Sequence, residues 1–131
     1  MQSVFLTIFI IFFVFKGEVS ASRLFPEKAY QAYWCQQAQG QTEVRLIDRT
    51  RVDCLTTQHA IEFDFGSKWA EAIGQALHYS MATGKEAGIV LILETEEDGK
   101  YWIRLNNIIQ RYHLGIHTWK IHPEALNQAP K

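Results

Sequence analysis

The hydrophobic and polar positions of the chain change their period several times after residue 22, and each change predicts a different element. TEVRLID and RVDCLT alternate and are separated by RT, which predicts two strands joined by a tight turn. HAIEFDF predicts a third strand, with its apolar side chains on one face and Glu62 and Asp64 on the other. AGIVLILE is apolar without alternation, which is typical of a strand covered on both faces.

Helical spacing predicts three helices, one before these strands, one before AGIVLILE and one after it. Pro26 is suited to begin the first helix and Gly40 to end it. Ser67 is suited to cap the second helix, which ends at Gly84. EEDGKYWIRLNNIIQRYHLG predicts the third, and IHTWKIH predicts a last strand. The resulting order predicts an α/β fold (an α+β sandwich) with a central mixed β-sheet flanked by helices.

The N-terminal segment does not fit this domain. Residues 4–15 form an apolar run that is short for a membrane span, and the small residues Val19 and Ala21 follow it. We therefore predict a cleaved export signal at residues 1–21, a single domain at residues 22–131, and a periplasmic or secreted protein. No Lys or Arg precedes the run, so an uncleaved anchor remains the alternative.

Composition limits the possible partners and the redox state. The chain has 131 residues and a net charge of −1, so it has no global basic field, and nucleic-acid binding would need a local patch. Cys35 and Cys54 are the two cysteines. After export they would form one disulfide or remain two buried thiols. Their spacing is not that of a CxxC redox or zinc site.

Three carboxylates lie on the second and third predicted strands. Asp53 and Glu62 would supply oxygen ligands for a hard cation such as Mg²⁺ if they point to the same face. Asp64 follows Glu62 on that face, about 7 Å along the strand. Like charges this close raise one another's pKa unless a cation compensates them. The alternative is a solvated face whose carboxylates need no partner.

The second helix has two distinct faces. Its apolar side is expected to pack on the sheet; we assign to it Trp69, Ala72, Ile73, Ala76, Leu77 and Ser80. Lys68, Gln75 and Tyr79 fall on a separate polar stripe at steps of three or four residues. That stripe can face the carboxylates.

Four motifs in order resemble those of a known family. GxxE (Gly40 to Glu43), RVDC, IEFD and QALHY resemble the PD-(D/E)XK nuclease superfamily, in its RecB-type, Holliday junction resolvase-like branch. The resemblance covers about Glu27 to Glu94. It implies a restriction-endonuclease-like fold that hydrolyses nucleic-acid phosphodiester bonds with Mg²⁺ or Mn²⁺.

The resemblance also implies a role for particular residues. Asp53 and Glu62 would be metal ligands, joined by Glu27 from the first helix. Gln75 and Tyr79 would act beside them in the catalytic site and contact substrate.

The chain departs from the family pattern at one important position. Asp64 stands two residues after Glu62, where the family has Lys. Lys68, at the start of the next helix, could place its ammonium in the site instead. The alternatives are that it pairs with Glu71 or lies in solvent. Separately, Asp64 could itself act as a third catalytic carboxylate. The alternative function is a catalytically impaired nuclease-fold domain that binds nucleic acid or a protein partner.

The remaining basic and imidazole side chains give weaker signals. Arg45 and Arg51 lie near the Asp53 strand and could bind a phosphate group of the substrate. The alternative is that they form a solvated or salt-bridged edge. His113 and His117 are four residues apart, but Gly115 interrupts the helix that would align them for zinc. We interpret the five histidines as surface or strand-end residues.

Overall fold

The computed structural model describes residues 22–128, so the predicted export signal lies outside the described residues. The helices of this range are α1 (Glu27–Gln37), α2 (Trp69–Thr83), α3 (Gly99–Tyr112) and α4 (Glu124–Asn127). The strands are β1 (Gln41–Arg45), β2 (Arg51–Leu55), β3 (His59–Phe65), β4 (Glu86–Ile92) and β5 (Ile116–Ile121). Between residues 22 and 128 no helix combines the length and the apolar character needed to cross a bilayer.

The five strands form one mixed sheet in the order β1-β2-β3-β4-β5. The first three strands are antiparallel, and β3, β4 and β5 are parallel. Parallel neighbours need crossover connections, and here α2 and α3 supply them. The predicted mixed sheet flanked by helices is confirmed at this level of detail.

Helices cover both faces of the sheet. On one face, Tyr30 of α1 packs with the apolar residues of β3 and with alternate residues of β4, and α4 adds Ala125 and Leu126 at the edge of this cluster. On the other face, α2 and α3 pack against the intervening β4 residues, among them Ile89 and Leu91. Strand β4 is therefore covered on both faces, as its unbroken apolar run predicts.

Several local predictions were wrong. Ser67 makes no capping hydrogen bond, because one turn of 3₁₀ helix at Gly66–Lys68 leads directly into α2. Leu77, expected on the packing side, is exposed, whereas Tyr79 is buried there with Ala72 and Ala76. The short helix α4 was not predicted. The end of α2 at Gly84 is confirmed, with φ 70°.

A disulfide joins Cys35 of α1 to Cys54 of β2, with their Cα atoms 5.8 Å apart. It decides between the two alternatives for these cysteines. It also explains Gly40, which lies beyond the end of α1 at Gln37: a Cβ there would lie 2.7 Å from the Cys54 sulfur and 2.8 Å from the Cys35 sulfur. Gly40 is therefore required by close packing on the disulfide.

Candidate metal-binding carboxylate site

Strand β2 changes face at Asp53. Val52 and Cys54 are two positions apart and would share a face of a regular strand. Instead, Val52 packs with Tyr79 on the α2 side, and Cys54 forms the disulfide on the α1 side. The residue opposite Asp53 in β1 is Glu43, whose φ of 54° is left-handed. Left-handed non-glycine residues cost about 1–3 kcal/mol and cluster at functional sites.

The side chain of Asp53 replaces part of the backbone ladder between β2 and β3. The two strands pair at Cys54 with Ile61 and at Leu55 with Ala60. Farther along β3, the N–H of Phe63 donates to Asp53 Oδ2 at 2.7 Å. A side-chain acceptor in this position holds the carboxylate between the two strands.

Gln31 of α1 fixes the backbone of Asp53. Its side-chain amide donates to the carbonyl oxygen of Asp53 at 2.6 Å and to Glu43 Oε1 at 3.3 Å. Gln31 is only 2% exposed, so these bonds satisfy a buried amide. The helix, the bent strand and Glu43 are thereby held in one arrangement.

Glu62 lies beside Asp53 and is 4% exposed. The two side chains are close enough for a protonated Glu62 to hydrogen-bond to Asp53. Burial first, and then the neighbouring charge of Asp53, raises the pKa of Glu62 far above its ordinary value. Burial also raises the pKa of Asp53, although the Phe63 N–H opposes this shift. Among the described residues, Glu62 Oε2 has no hydrogen-bond partner.

Two more carboxylates face this pair. Asp64 is 5% exposed and accepts the N–H of Phe65 at 2.9 Å; burial raises its pKa to about 6. Burial, followed by the charges of Asp53 and Asp64, raises the pKa of Glu27 to about 7. The positive charge of Lys68 lowers the pKa of both Glu27 and Asp64. The starts of α1 and α2 therefore lie near the carboxylates of β2 and β3.

The polar stripe of α2 reaches the same site. Tyr79 is buried, and burial followed by the charges of Glu62 and Asp53 raises its pKa to about 12. Its hydroxyl donates to Gln75 Oε1 at 3.4 Å. Gln75 and Lys68 are exposed at the rim.

The two predicted phosphate-binding arginines lie in different surroundings. Arg51 Nε lies 3.5 Å from Glu43 Oε2, and its charge lowers the pKa of Asp53. Arg45 is exposed and pairs with Arg51 in register, and it lines a separate groove with His78 and Met81. Of the two arginines, only Arg51 lies near the carboxylates.

The carboxylates do not form a cage of three close ligands. Among residues 22–128, one group of at least three His, Cys, Asp or Glu donors has all its ligand atoms within 4.8 Å of one another: His59, Glu86 and His117. These three form a possible metal-binding triad. Asp53 and Glu62 form a two-carboxylate site, which suits Mg²⁺ because this ion usually keeps several waters.

Sequence reasoning missed three features of these sites. Gln31 lies one helical turn after Glu27 on α1, a spacing that places both on one side of the helix. Glu43 belongs to the GxxE motif, but no pattern predicted its left-handed backbone. The triad of His59, Glu86 and His117 has no local sequence signal, because its members come from three different strands.

Comparisons with known proteins supply no family for this fold or for these sites. No protein-family model matches the chain, and no curated protein and no solved structure shows significant similarity to it.

Proposed function

We propose that the protein is a metal-dependent nuclease that hydrolyses nucleic-acid phosphodiester bonds, with Mg²⁺ or Mn²⁺ held by Asp53 and Glu62. The observation that carries the proposal is the buried contact between these two carboxyls, one of which has an oxygen without a hydrogen-bond partner among the described residues. Two buried carboxylates repel each other unless they share a proton or a cation. A divalent cation bound by both carboxylates would offset their repulsion, and Mg²⁺ prefers oxygen ligands of this kind.

The surroundings of the pair support the same reaction. The order of Asp53, Glu62, Gln75 and Tyr79 resembles that of PD-(D/E)XK nucleases, and we propose a restriction-endonuclease-like fold on this ground. The left-handed Glu43 and the interrupted ladder at Asp53 also support the proposal, because strained backbone of this kind clusters at functional sites.

Each group has a chemical role in the proposed hydrolysis. When bound, a divalent ion would supply positive charge to the phosphoryl oxygens and acidify a water. Asp53 and Glu62 would hold it, and Glu27 would face its hydrated side. Lys68 would place its ammonium near Asp64 and the attacking water, in the role of the missing lysine. Gln75 and Tyr79 would position the substrate, and Arg51 would contact a phosphate.

A second function is favoured by two features of the sequence. Asp64 occupies the position of the family's lysine, and the chain has a net charge of −1. Both features fit a catalytically impaired domain that binds nucleic acid or a protein partner through the same face.

We also propose that the protein is exported. The Cys35–Cys54 disulfide supports this, since such bonds persist mainly in oxidising compartments. Recovery of a chain that begins at Ser22 would support cleavage of residues 1–21. An intact Met1 on cytosolic protein would contradict it.

The nuclease proposal is tested with the purified, disulfide-bonded protein. Single- and double-stranded DNA and RNA are incubated with Mg²⁺, Mn²⁺ or a chelator. Glu62→Gln and Asp53→Asn remove one metal-binding charge each. Glu97→Gln removes an exposed carboxylate outside the site and serves as the matched control.

Cleavage that needs metal, is lost in Glu62→Gln and persists in Glu97→Gln is the expected result. Cleavage that persists equally in Glu62→Gln and Asp53→Asn would reject the site. If the wild type binds without cutting and Asp64→Lys gains metal-dependent cleavage, the second function is correct.

A further inference from the structure

A second cluster of ligand-type side chains lies at the other end of the parallel strands. His59 is the first residue of β3, Glu86 is the first residue of β4, and His117 is the second residue of β5. His59 is paired with Glu86 in register, and His117 with Gly88. By strand alternation, all three side chains lie on the α1 face, on the same side as Ile61 and Val90.

The three donor atoms are spaced as ligands of one ion would be. Glu86 Oε2 lies 3.2 Å from His59 Nε2 and 3.1 Å from His117 Nε2. Tetrahedral zinc with bonds of about 2.0–2.1 Å places neighbouring ligand atoms roughly 3.3 Å apart. All three atoms lie within 4.8 Å of one another, so one ion can reach them with small side-chain adjustments.

The imidazole of His59 is prepared for coordination by its surroundings. Its side chain is 12% exposed, and among the described residues its buried Nε2 has no partner with hydrogen-bond geometry. Trp119 contacts the ring edge-on, with 5.2 Å between centroids. Burial and then the charge of His117 lower the pKa of His59, against the opposing charge of Glu86. A neutral imidazole is the form that binds metal.

The other two ligands keep the cluster accessible. The side chain of His117 is 54% exposed and that of Glu86 is 50% exposed. An ion can therefore enter from solvent, and the outer side of the cluster can hold a water molecule. Two imidazoles with one carboxylate favour a borderline ion over Mg²⁺, which prefers oxygen ligands.

We propose that His59, Glu86 and His117 bind one Zn²⁺ ion, with a fourth position open to water. The ion connects residues at the starts of three adjacent parallel strands and so links β5 to β3 through β4. This site is separate from the proposed nuclease site, because Glu62 points to the opposite face of β3. Its existence does not depend on the nuclease proposal.

Zinc binding is measured by titration calorimetry on the full chain with its disulfide intact and without a histidine tag. Excess Mg²⁺ is present so that the carboxylate pair does not compete for zinc. The variants are His117→Ala and Glu86→Gln, both at half-exposed positions. His113→Asn, at the exposed end of α3, is the matched control, since Asn accepts the left-handed φ of 52° there.

We expect one zinc per chain, a rise in melting temperature on zinc addition, and visible absorption of a tetrahedral Co²⁺ complex. His117→Ala and Glu86→Gln are each expected to weaken binding at least about tenfold and to lose the melting shift. His113→Asn and Glu62→Gln should bind zinc as the wild type does. Zinc binding that is absent in the wild type, or unchanged in His117→Ala, would overturn the proposal.

Discussion

The carboxylate of Asp53 accepts a hydrogen bond from the backbone N–H of Phe63, with 2.7 Å between Oδ2 and N. In a regular antiparallel pair, a backbone carbonyl of the neighbouring strand would accept this bond. The same carboxylate lies beside Glu62 and accepts a hydrogen bond from it when Glu62 is protonated. The pairing of β2 with β3 and the charge of the site are therefore coupled.

Glu62→Gln is expected to stabilise the metal-free protein, and the gain should grow with pH. Burial raises the folded-state pKa of Glu62, so the folded protein keeps a proton that the unfolded chain releases above its ordinary pKa of 4.5. The stability of the wild type falls as pH rises through this window, whereas Gln keeps the neutral hydrogen bond at every pH. In chelator at pH 8 we expect a gain of about 1 kcal/mol or more in the free energy of unfolding.

Chemical unfolding of the wild type and Glu62→Gln at pH 5 and pH 8 measures this difference. Mg²⁺ should stabilise the wild type at pH 8 and leave Glu62→Gln unchanged. Glu97→Gln is the control at an exposed position. A gain that is the same at both pH values would mean that the carboxyl is not held protonated by its surroundings.

Lys68→Ala is expected to lower the turnover number about 100-fold, which is typical of the loss of a group that assists proton transfer. Burial raises the pKa of Glu27 to about 7 and that of Asp64 to about 6 even though the charge of Lys68 opposes both shifts, so removal of Lys68 should raise both pKa values further. Because the carboxylates must be ionised to act, the acidic limb of the pH–rate profile should move to higher pH. Lys100→Ala on α3 should leave rate and profile unchanged, and an unmoved acidic limb in Lys68→Ala would remove Lys68 from the site.

Gln31→Ala is expected to destabilise the protein by about 1–3 kcal/mol, because it leaves the carbonyl of Asp53 without its buried donor. The loss should extend to metal affinity, since Gln31 holds the strand that carries Asp53. Thermal unfolding and Mg²⁺ titration of Gln31→Ala measure both effects. Gln36→Ala, an exposed position on the same helix, should change neither. Normal metal affinity in Gln31→Ala would limit its role to stability.

Gly40→Ala is expected to destabilise the oxidised protein, since the new Cβ would lie 2.7 Å from the sulfur of Cys54. The substitution is expected to cost less after reduction, when the sulfurs can move apart. Gly74→Ala on α2 is the matched control: no atom lies within 4 Å of its added Cβ, and it should gain about 0.5–1 kcal/mol. Equal losses for Gly40→Ala in the oxidised and reduced protein would contradict this explanation.

Much of the architecture could be predicted from periodicity. The alternation in β3 and the unbroken apolar run of β4 indicated a strand beside a carboxylate face and a strand covered on both sides. Gly84 ended α2 as expected, since only its αL conformation was required there. Ser67 did not cap the helix, because buried Gly66, against which Tyr101 packs closely, begins a 3₁₀ turn before α2. Local propensity was overridden by packing at this point.

The sequence by itself determined which side chains face which side of β3, because alternation is a property of the local backbone. It placed Glu62 and Asp64 on one face, and it supplied two cysteines that could pair. Only the tertiary structure decided that Asp53 turns at a break in the ladder and that Gln31 holds it there. It also decided that three strands bring His59, Glu86 and His117 together. These relationships join residues far apart in the chain, and their geometry depends on how the whole sheet packs.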